Sequence, residues 1–347
     1  GKIAIGNIHF DTFRGNAEVL GALVEDLVKD EGKDASSPAS PFKGNIDLNK
    51  CERIIQEKGL DSISVIILTV TCNNNGGQPV SMQNIKDTAA FAKKYNIPFV
   101  MDIARVAENA YFIKTREEAY KNHSIADIIK ESVAYCETAV MSAKKDGLVN
   151  IGGLFLTRNQ DLFAMANQLA IVHEGFLTYG GLAGRDLEAL AVGLKEVCDF
   201  DYLDYRIKQV EYLGNQLKQR GVPIIEPTGG HGVYVDAKRF FDHIPQSEFP
   251  AQRLVVALYE EAGIRAVELG ACAFGSKDPV TGEDIWPELE TMRIAISRRV
   301  YTNDHMDCIA NALGYIYQNR HTYKGLKLVY QGPILSLRHF TAGFELL

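Results

Sequence analysis

Between Val65 and Thr157 the chain alternates short β-branched runs with segments of helical period, and this alternation restricts the fold more than any other feature of the sequence. Val65-Ile66-Ile67-Leu68-Thr69-Val70-Thr71 and Ile97-Pro98-Phe99-Val100-Met101-Asp102 read as strands, with a helix from Met82 to Tyr95 between them. Helical stretches follow from Glu108 to Tyr135, then strands at Thr138 to Ala143 and Gly153 to Thr157. Strands spaced in this way by helices form βαβ units, which require a mainly parallel sheet with helices on both faces. The fold class expected is therefore doubly wound α/β.

Beyond this region a helical stretch opens at Gln160-Asp161 and runs through Ala170, and Asp186 to Gln219 reads as one or two long amphipathic helices. From Val222 the texture changes. Ile224-Ile225-Glu226, Val233 to Asp236, Ile264 to Val267 and Met292 to Ile296 read as short strands around a helix from Ala251 to Ala262. We accordingly divide the chain into a large domain, residues 1–210, and a smaller C-terminal α+β domain, residues 211–347. Ser37-Pro38-Ala39-Ser40-Pro41 reads as a surface turn between an N-terminal strand region and the main sheet.

Charge and composition exclude several functions. A formal net charge of -7 opposes general attraction to nucleic acid or anionic membranes. The longest apolar runs are strand-sized, far below the roughly 20 residues that span a bilayer. The six cysteines show no C-x-x-C spacing, so neither a disulfide framework nor a zinc site is expected, and a reducing cytoplasm fits. Gly1-Lys2-Ile3 carries neither an initiator Met nor a signal-peptide pattern, and we expect further chain upstream.

Ligands of open α/β sheets bind beyond the carboxyl ends of the strands. Three such ends carry polar groups: Asn73 with Gly76-Gly77-Gln78-Pro79, then Asp102 with Arg105, then Ser142-Ala143-Lys144-Lys145-Asp146. Together they suit a pyridine aldehyde cofactor. A lysine forms the Schiff base, an aspartate keeps the ring nitrogen protonated, and cations or hydroxyls take the phenolate and phosphate. Each alone has a plainer reading. Lys144-Lys145-Asp146 is a solvated corner, Asp102 a helix N-cap, Arg293 the outward face of a half-buried strand, and His231 in Gly229-Gly230-His231-Gly232 a turn residue.

The stretches Gly76 to Ser81, Ala107 to Lys114, Met141 to Asp146, Tyr179 to Asp186, Phe249 to Gln252 and Arg298 to Thr302 closely resemble the tryptophanase and tyrosine phenol-lyase family of β-eliminating lyases, in order over about Gly6 to Ala342. The resemblance implies a type I fold binding pyridoxal 5'-phosphate (PLP), a homotetramer, and dependence on potassium. Carried over by position, Lys145 matches the Schiff-base lysine, with Ser142 and Lys144 near the phosphate. Asp102 matches the partner of the ring nitrogen, Arg105 the group near the ring hydroxyl and Phe10 the stacked aromatic. Asn73 and Arg293 match the holders of the substrate carboxylate, and Asn150 a backbone-carbonyl ligand of the cation. Phenol-lyases place arginine, threonine and phenylalanine where this chain has Leu269, Asp11 and His339. The resemblance therefore implies β-elimination of L-tryptophan to indole, pyruvate and ammonia. The alternatives are tyrosine or another aromatic amino acid as substrate, or a PLP-binding subunit that needs a separate N-terminal polypeptide. Family members carry an N-terminal segment with a phosphate loop, a further cation ligand and a tyrosine acid, which has no counterpart in this sequence.

Overall fold

The structure, a computed structural model, describes residues 1–278, 280–333 and 335–347. Its large sheet has six strands in the order β2-β1-β3-β4-β5-β6. These are β1 (Ile3–Gly6), β2 (Leu23–Asp26), β3 (Ile63–Thr69), β4 (Phe99–Asp102), β5 (Thr138–Ser142) and β6 (Gly153–Thr157). Pairing is parallel from β2 across to β5, and β6 joins β5 antiparallel. The mainly parallel α/β architecture is thus as expected. The N-terminal strand is not a separate region, however. β1 lies inside the sheet, pairing Ala4 with both Val24 and Val65, and Ile3, Ala4 and Ile5 are buried. A strand of four residues is too short to announce in sequence that both its edges are filled.

The helices among these strands are α1 (Asp11–Val19), α2 (Leu48–Lys58), α3 (Met82–Tyr95), α4 (Val106–Arg116) and α5 (Ile125–Ala134). Local chemistry sets their ends. Ser81 Oγ accepts the Asn84 N–H at the start of α3, and Asn96 closes it in left-handed backbone. The helical stretches expected from Glu108 to Tyr135 are α4 and α5, the second starting where Ser124 caps it through the Asp127 N–H. α6 (Gln160–His173) and α7 (Gly184–Glu196) follow, then α8 (Phe200–Gln219). α8 buries Leu203, Ile207, Val210, Leu213 and Leu217 at helical spacing. The first two join the core beneath the large sheet and the last three a second core, so one helix runs unbroken through residue 210 and serves both.

The second core lies between α8, α10 (Pro250–Ala262), α12 (Asn303–Gln318) and a three-stranded antiparallel sheet ordered β7-β11-β8. Its strands are β7 (Gly232–Asp236), β8 (Val267–Leu269) and β11 (Thr291–Ala295). Short elements complete this part: α9 (Ala237–Phe240), α11 (Ala271–Phe274) and the hairpins β9 (Ser276–Lys277) with β10 (Asp284–Ile285) and β12 (Leu326–Tyr330) with β13 (Gly343–Leu346). Two expected strands differ. Ile224-Ile225-Glu226 contributes a single bridge, Ile224 to Val235. The strand expected at Ile264 to Val267 begins only at Val267, since Gly263 ends α10 in left-handed backbone and Val267 is the first residue in register with β11. Among the described residues no helix is long and apolar enough to cross a membrane.

Candidate active site

The carboxyl ends of β3, β4 and β5 lie side by side, because these strands are parallel neighbours. They deliver Asn73, Asp102 with Arg105, and Ser142 with Lys144 and Lys145 to one edge of the sheet. From the other side come β7 and β11 with Tyr234 and Arg293. A cavity of about 370 Å³ opens between them, lined by Arg105, Lys144, Lys145, Arg206, Arg293 and Arg298, among others. So many cations around one cavity suit an anionic ligand.

Lys145 Nζ donates to Ser142 Oγ at 2.8 Å and stands 5.6 Å from the centre of the Phe10 ring. Burial, then the neighbouring Arg105 and Lys144, bring its ammonium down to about 8, against the pull of Asp102. A lysine so shifted offers a free amine near neutral pH, which an aldehyde requires. Lys144 itself is exposed. Asp102 ends β4, and its Oδ1 takes the Ala104 N–H at 3.0 Å, while no described side chain donates to it. Burial raises its carboxyl, opposed by that N–H, Arg105 and Lys145. Arg105 is buried with Nε unpartnered and its guanidinium pushed down by burial. A half-buried carboxylate and a buried guanidinium without side-chain partners, beside a lysine and an aromatic face, fit a pyridinium N–H, a phenolate oxygen and an aldehyde carbon. These residues therefore fit PLP.

Asn73 is the hub of the opposite wall. Its Oδ1 accepts from Arg293 Nη1 and, at 3.2 Å, from Tyr234 Oη, and it lies 3.0 Å from His231 Nε2. Arg293 therefore turns into the site rather than outward, with Nε buried and unpartnered. His231 does lie in a bend, immediately before β7. It is buried, and burial with Arg105, Arg293, Arg206 and Arg298 around it holds its pKa well below the ordinary value, so the ring is neutral at pH 7. The loop that carries it reaches this depth because Gly229 has no side chain: a Cβ there would fall 2.1 Å from the Gly76 carbonyl oxygen.

Behind Lys145 lies a buried ion network. Asp146 Oδ2 accepts the N–H groups of Ala107 and Glu108 at the start of α4, tying the Lys145 loop to the Arg105 loop. Arg298 Nη2 bridges Asp146 Oδ1 at 2.7 Å and Glu108 Oε1 at 2.8 Å, and Arg206 Nε lies 3.4 Å from the same Glu108 oxygen. The sequence reading assigned none of Arg206, Arg298 or Tyr234 to the site. One signal existed: Arg206 falls on the apolar face of α8, between Leu203 and Ile207.

At the far end Asp11 Oδ2 pairs with His339 Nε2 at 3.3 Å, and His339 Nδ1 is buried and unpartnered. Asp11 adjoins Phe10, so this pair flanks the aromatic that faces Lys145. Leu269 is buried against Tyr234 and Ile225. The structure thus brings Phe10, Asn73, Asp102, Arg105, Ser142, Lys144, Lys145 and Arg293 to one region, with the Asp11–His339 pair next to Phe10 and Leu269 packed with Tyr234. Asn150 is exposed and directly follows Val149 of the cavity lining.

The Beta-eliminating lyase family description matches residues 2–312. The chain belongs to the beta-eliminating lyase family. This family is PLP-dependent, in agreement with the fit of Lys145, Asp102 and Arg105. Among its members, tyrosine phenol-lyase of Clostridium tetani is 45% identical over 345 residues, covering 99% of this chain and 74% of that protein. Tyrosine phenol-lyase of Fusobacterium nucleatum is 47% identical over 344 residues, with 99% and 74% covered. A probable beta-eliminating lyase of Trichomonas vaginalis is 47% identical over 346 residues, again with 99% and 74% covered. A carbon-carbon lyase is the class these names indicate. They do not carry the tryptophan specificity expected from Leu269, Asp11 and His339, and the named relatives favour tyrosine instead.

Proposed function

We propose that the chain catalyses PLP-dependent β-elimination of an aromatic L-amino acid, releasing the aromatic leaving group, pyruvate and ammonia. The observation that carries this reading is that Lys145 and Arg105 line one cationic cavity, with Asp102 close enough to Lys145 to act on its charge and the Phe10 ring 5.6 Å from its Nζ. When bound, the cofactor supplies an electron sink for the pair left when the substrate loses its α-proton. This chain's own residues do the rest. Asp102 holds a proton at the ring nitrogen, and Arg105 compensates the ring oxygen. Arg293 and Asn73 hold the substrate carboxylate, the guanidinium giving charge-assisted donors. Lys145, once released, takes the α-proton, its amine being free near neutral pH.

Tyrosine is the substrate favoured by the named relatives. Tryptophan is the second reading, and a specific observation favours it. Leu269 offers no cation for a phenolic oxygen, while the Asp11–His339 pair presents a carboxylate and a buried free ring nitrogen suited to an N–H donor. Side-by-side assay of pyruvate release from the two amino acids separates them. Borohydride reduction in the presence of PLP, followed by peptide mapping, tests the cofactor: an adduct is expected on Lys145, and its absence would sink the proposal.

The same proposal includes assembly with further copies of the chain. α6 buries none of its residues, and Phe163, Met165, Leu169 and Val172 on it, with Phe155 and Leu156 of β6, are exposed. An apolar face of this kind marks an interface, and sedimentation should detect an oligomer. Asn150 is the residue of this chain that would offer a backbone carbonyl to a potassium ion. The six free cysteines accord with a reducing cytoplasm as the proposed location.

A further inference from the structure

Segment 268–275 holds Leu269 and is gripped from both ends by buried charges. At its N-terminal end, Glu290 Oε2 accepts the Ala271 N–H at 2.7 Å, and Glu268 accepts those of Cys272 and Ala273 at 2.9 and 3.0 Å. At its C-terminal end, the buried guanidinium of Arg338 donates to the carbonyls of Cys272 at 2.9 Å, Gly275 at 3.1 Å and Ala271. Gly270 lets the Glu290 carboxyl come this close, since a Cβ there would fall 2.5 Å from it. Burial and the nearby Glu290 raise the Glu268 carboxyl.

Arg338 does not belong to that segment. It sits in the 3-10 turn Leu335–Phe340, and its neighbour His339 reaches the other way, to Asp11 at the start of α1. Leu269 in turn packs with Tyr234, whose hydroxyl reaches Asn73. One buried side chain therefore ties the segment that follows Leu269 to the turn whose next residue, His339, pairs with Asp11. We propose that Arg338 is a positioning residue for substrate specificity: by riveting the turn that carries His339 to the segment after Leu269, it sets the width of the pocket that receives the aromatic ring. A guanidinium suits this because its planar fork can satisfy several carbonyls at once in a fixed geometry, which a lysine cannot.

This inference rests on the lyase reading. Its test compares an aromatic amino acid with β-chloroalanine, whose chloride leaves without needing a ring pocket. In Arg338→Met, kcat/KM for the aromatic substrate should fall about tenfold or more, through KM, corresponding to about 1.4 kcal/mol. β-Chloroalanine turnover and the borohydride-trapped adduct on Lys145 should stay within about twofold by the same scale. Arg338→Lys, which keeps the charge but not the fork, should show a smaller loss confined to the aromatic substrate. This milder variant carries the test if the methionine variant does not fold. Amide hydrogen exchange at Ala271, Cys272 and Ala273 should quicken in either variant, a readout independent of turnover. Equal losses on both substrates, or unchanged discrimination with quickened exchange, would overturn the positioning role. Wild-type protein inactive on both substrates and without an adduct would instead remove the lyase reading itself.

Discussion

Replacing Arg298 by methionine is the most direct test of how the site is braced. Arg298 Nη2 lies between Glu108 Oε1 and Asp146 Oδ1, both carboxylates being fully buried. Methionine occupies similar length without charge, so the two carboxylates are left with Arg206 alone, whose Nε stands farther off at 3.4 Å from Glu108. Removing one member of a buried ion pair costs about 3–5 kcal/mol, because a charge remains unpaired in low dielectric. Asp146 still accepts two backbone N–H groups, which places the loss at the lower end, about 3 kcal/mol. The loss should also depend on pH. Burial and Glu108 already push the Asp146 carboxyl up to about 6, and without Arg298 it rises further. A carboxyl raised in the folded state contributes stability that is present below its unfolded value, about 3.9, and lost as pH rises through the folded value. Urea unfolding of Arg298→Met against the parent should therefore show a larger deficit at about pH 8 than at about pH 5. Adding Asp146→Asn should recover part of it. A deficit below about 1 kcal/mol at the higher pH, or one equal at both, would refute the network as a buried electrostatic brace.

Other consequences are as direct. The Lys145 amine of the apo protein should react with a small aldehyde, trapped by borohydride, with a half-point at about 8; a half-point at the ordinary lysine value of 10.5 would exclude the effect of burial. Arg293→Ala should raise the substrate concentration for half-maximal turnover by roughly tenfold to a hundredfold, from a charged hydrogen bond of about 1.5–3 kcal/mol, while leaving the PLP adduct on Lys145 intact. An unchanged concentration dependence would take Arg293 out of the carboxylate site. Gly229→Ala places a Cβ against the Gly76 carbonyl and should destabilise the fold by about 1–3 kcal/mol, measured by thermal melting. A melt equal to the parent's would show that the His231 loop has room to move.

Much of the large sheet was legible because its causes are local. α3 runs from Met82 to Tyr95 and β6 from Gly153 to Thr157, the spans expected, since a cap, a left-handed asparagine and a β-branched run each act within a few residues. The strand ends were legible for the same reason: a parallel α/β sheet turns each strand's carboxyl end toward one edge, so the sequence alone groups Asn73, Asp102 and Lys145. β1 was misread because its neighbours, β2 and β3, are defined only by pairing. Glu226 and its neighbours lost their strand to a single bridge for the same reason.

The sequence by itself determined the α/β architecture and, through its resemblance to the β-eliminating lyases, singled out Lys145, Asp102 and Arg105 as the residues we propose hold the cofactor. Tertiary structure alone decided how they are electrostatically set. It buries His231, turns Arg293 inward, and joins Arg298 to Glu108 across 190 residues of chain and Arg206 to the same carboxylate across 98. The physical reason is that burial and Coulomb interaction depend on distance in space, and a charge pattern along the chain carries no record of which opposite charge will be its neighbour once water has been removed.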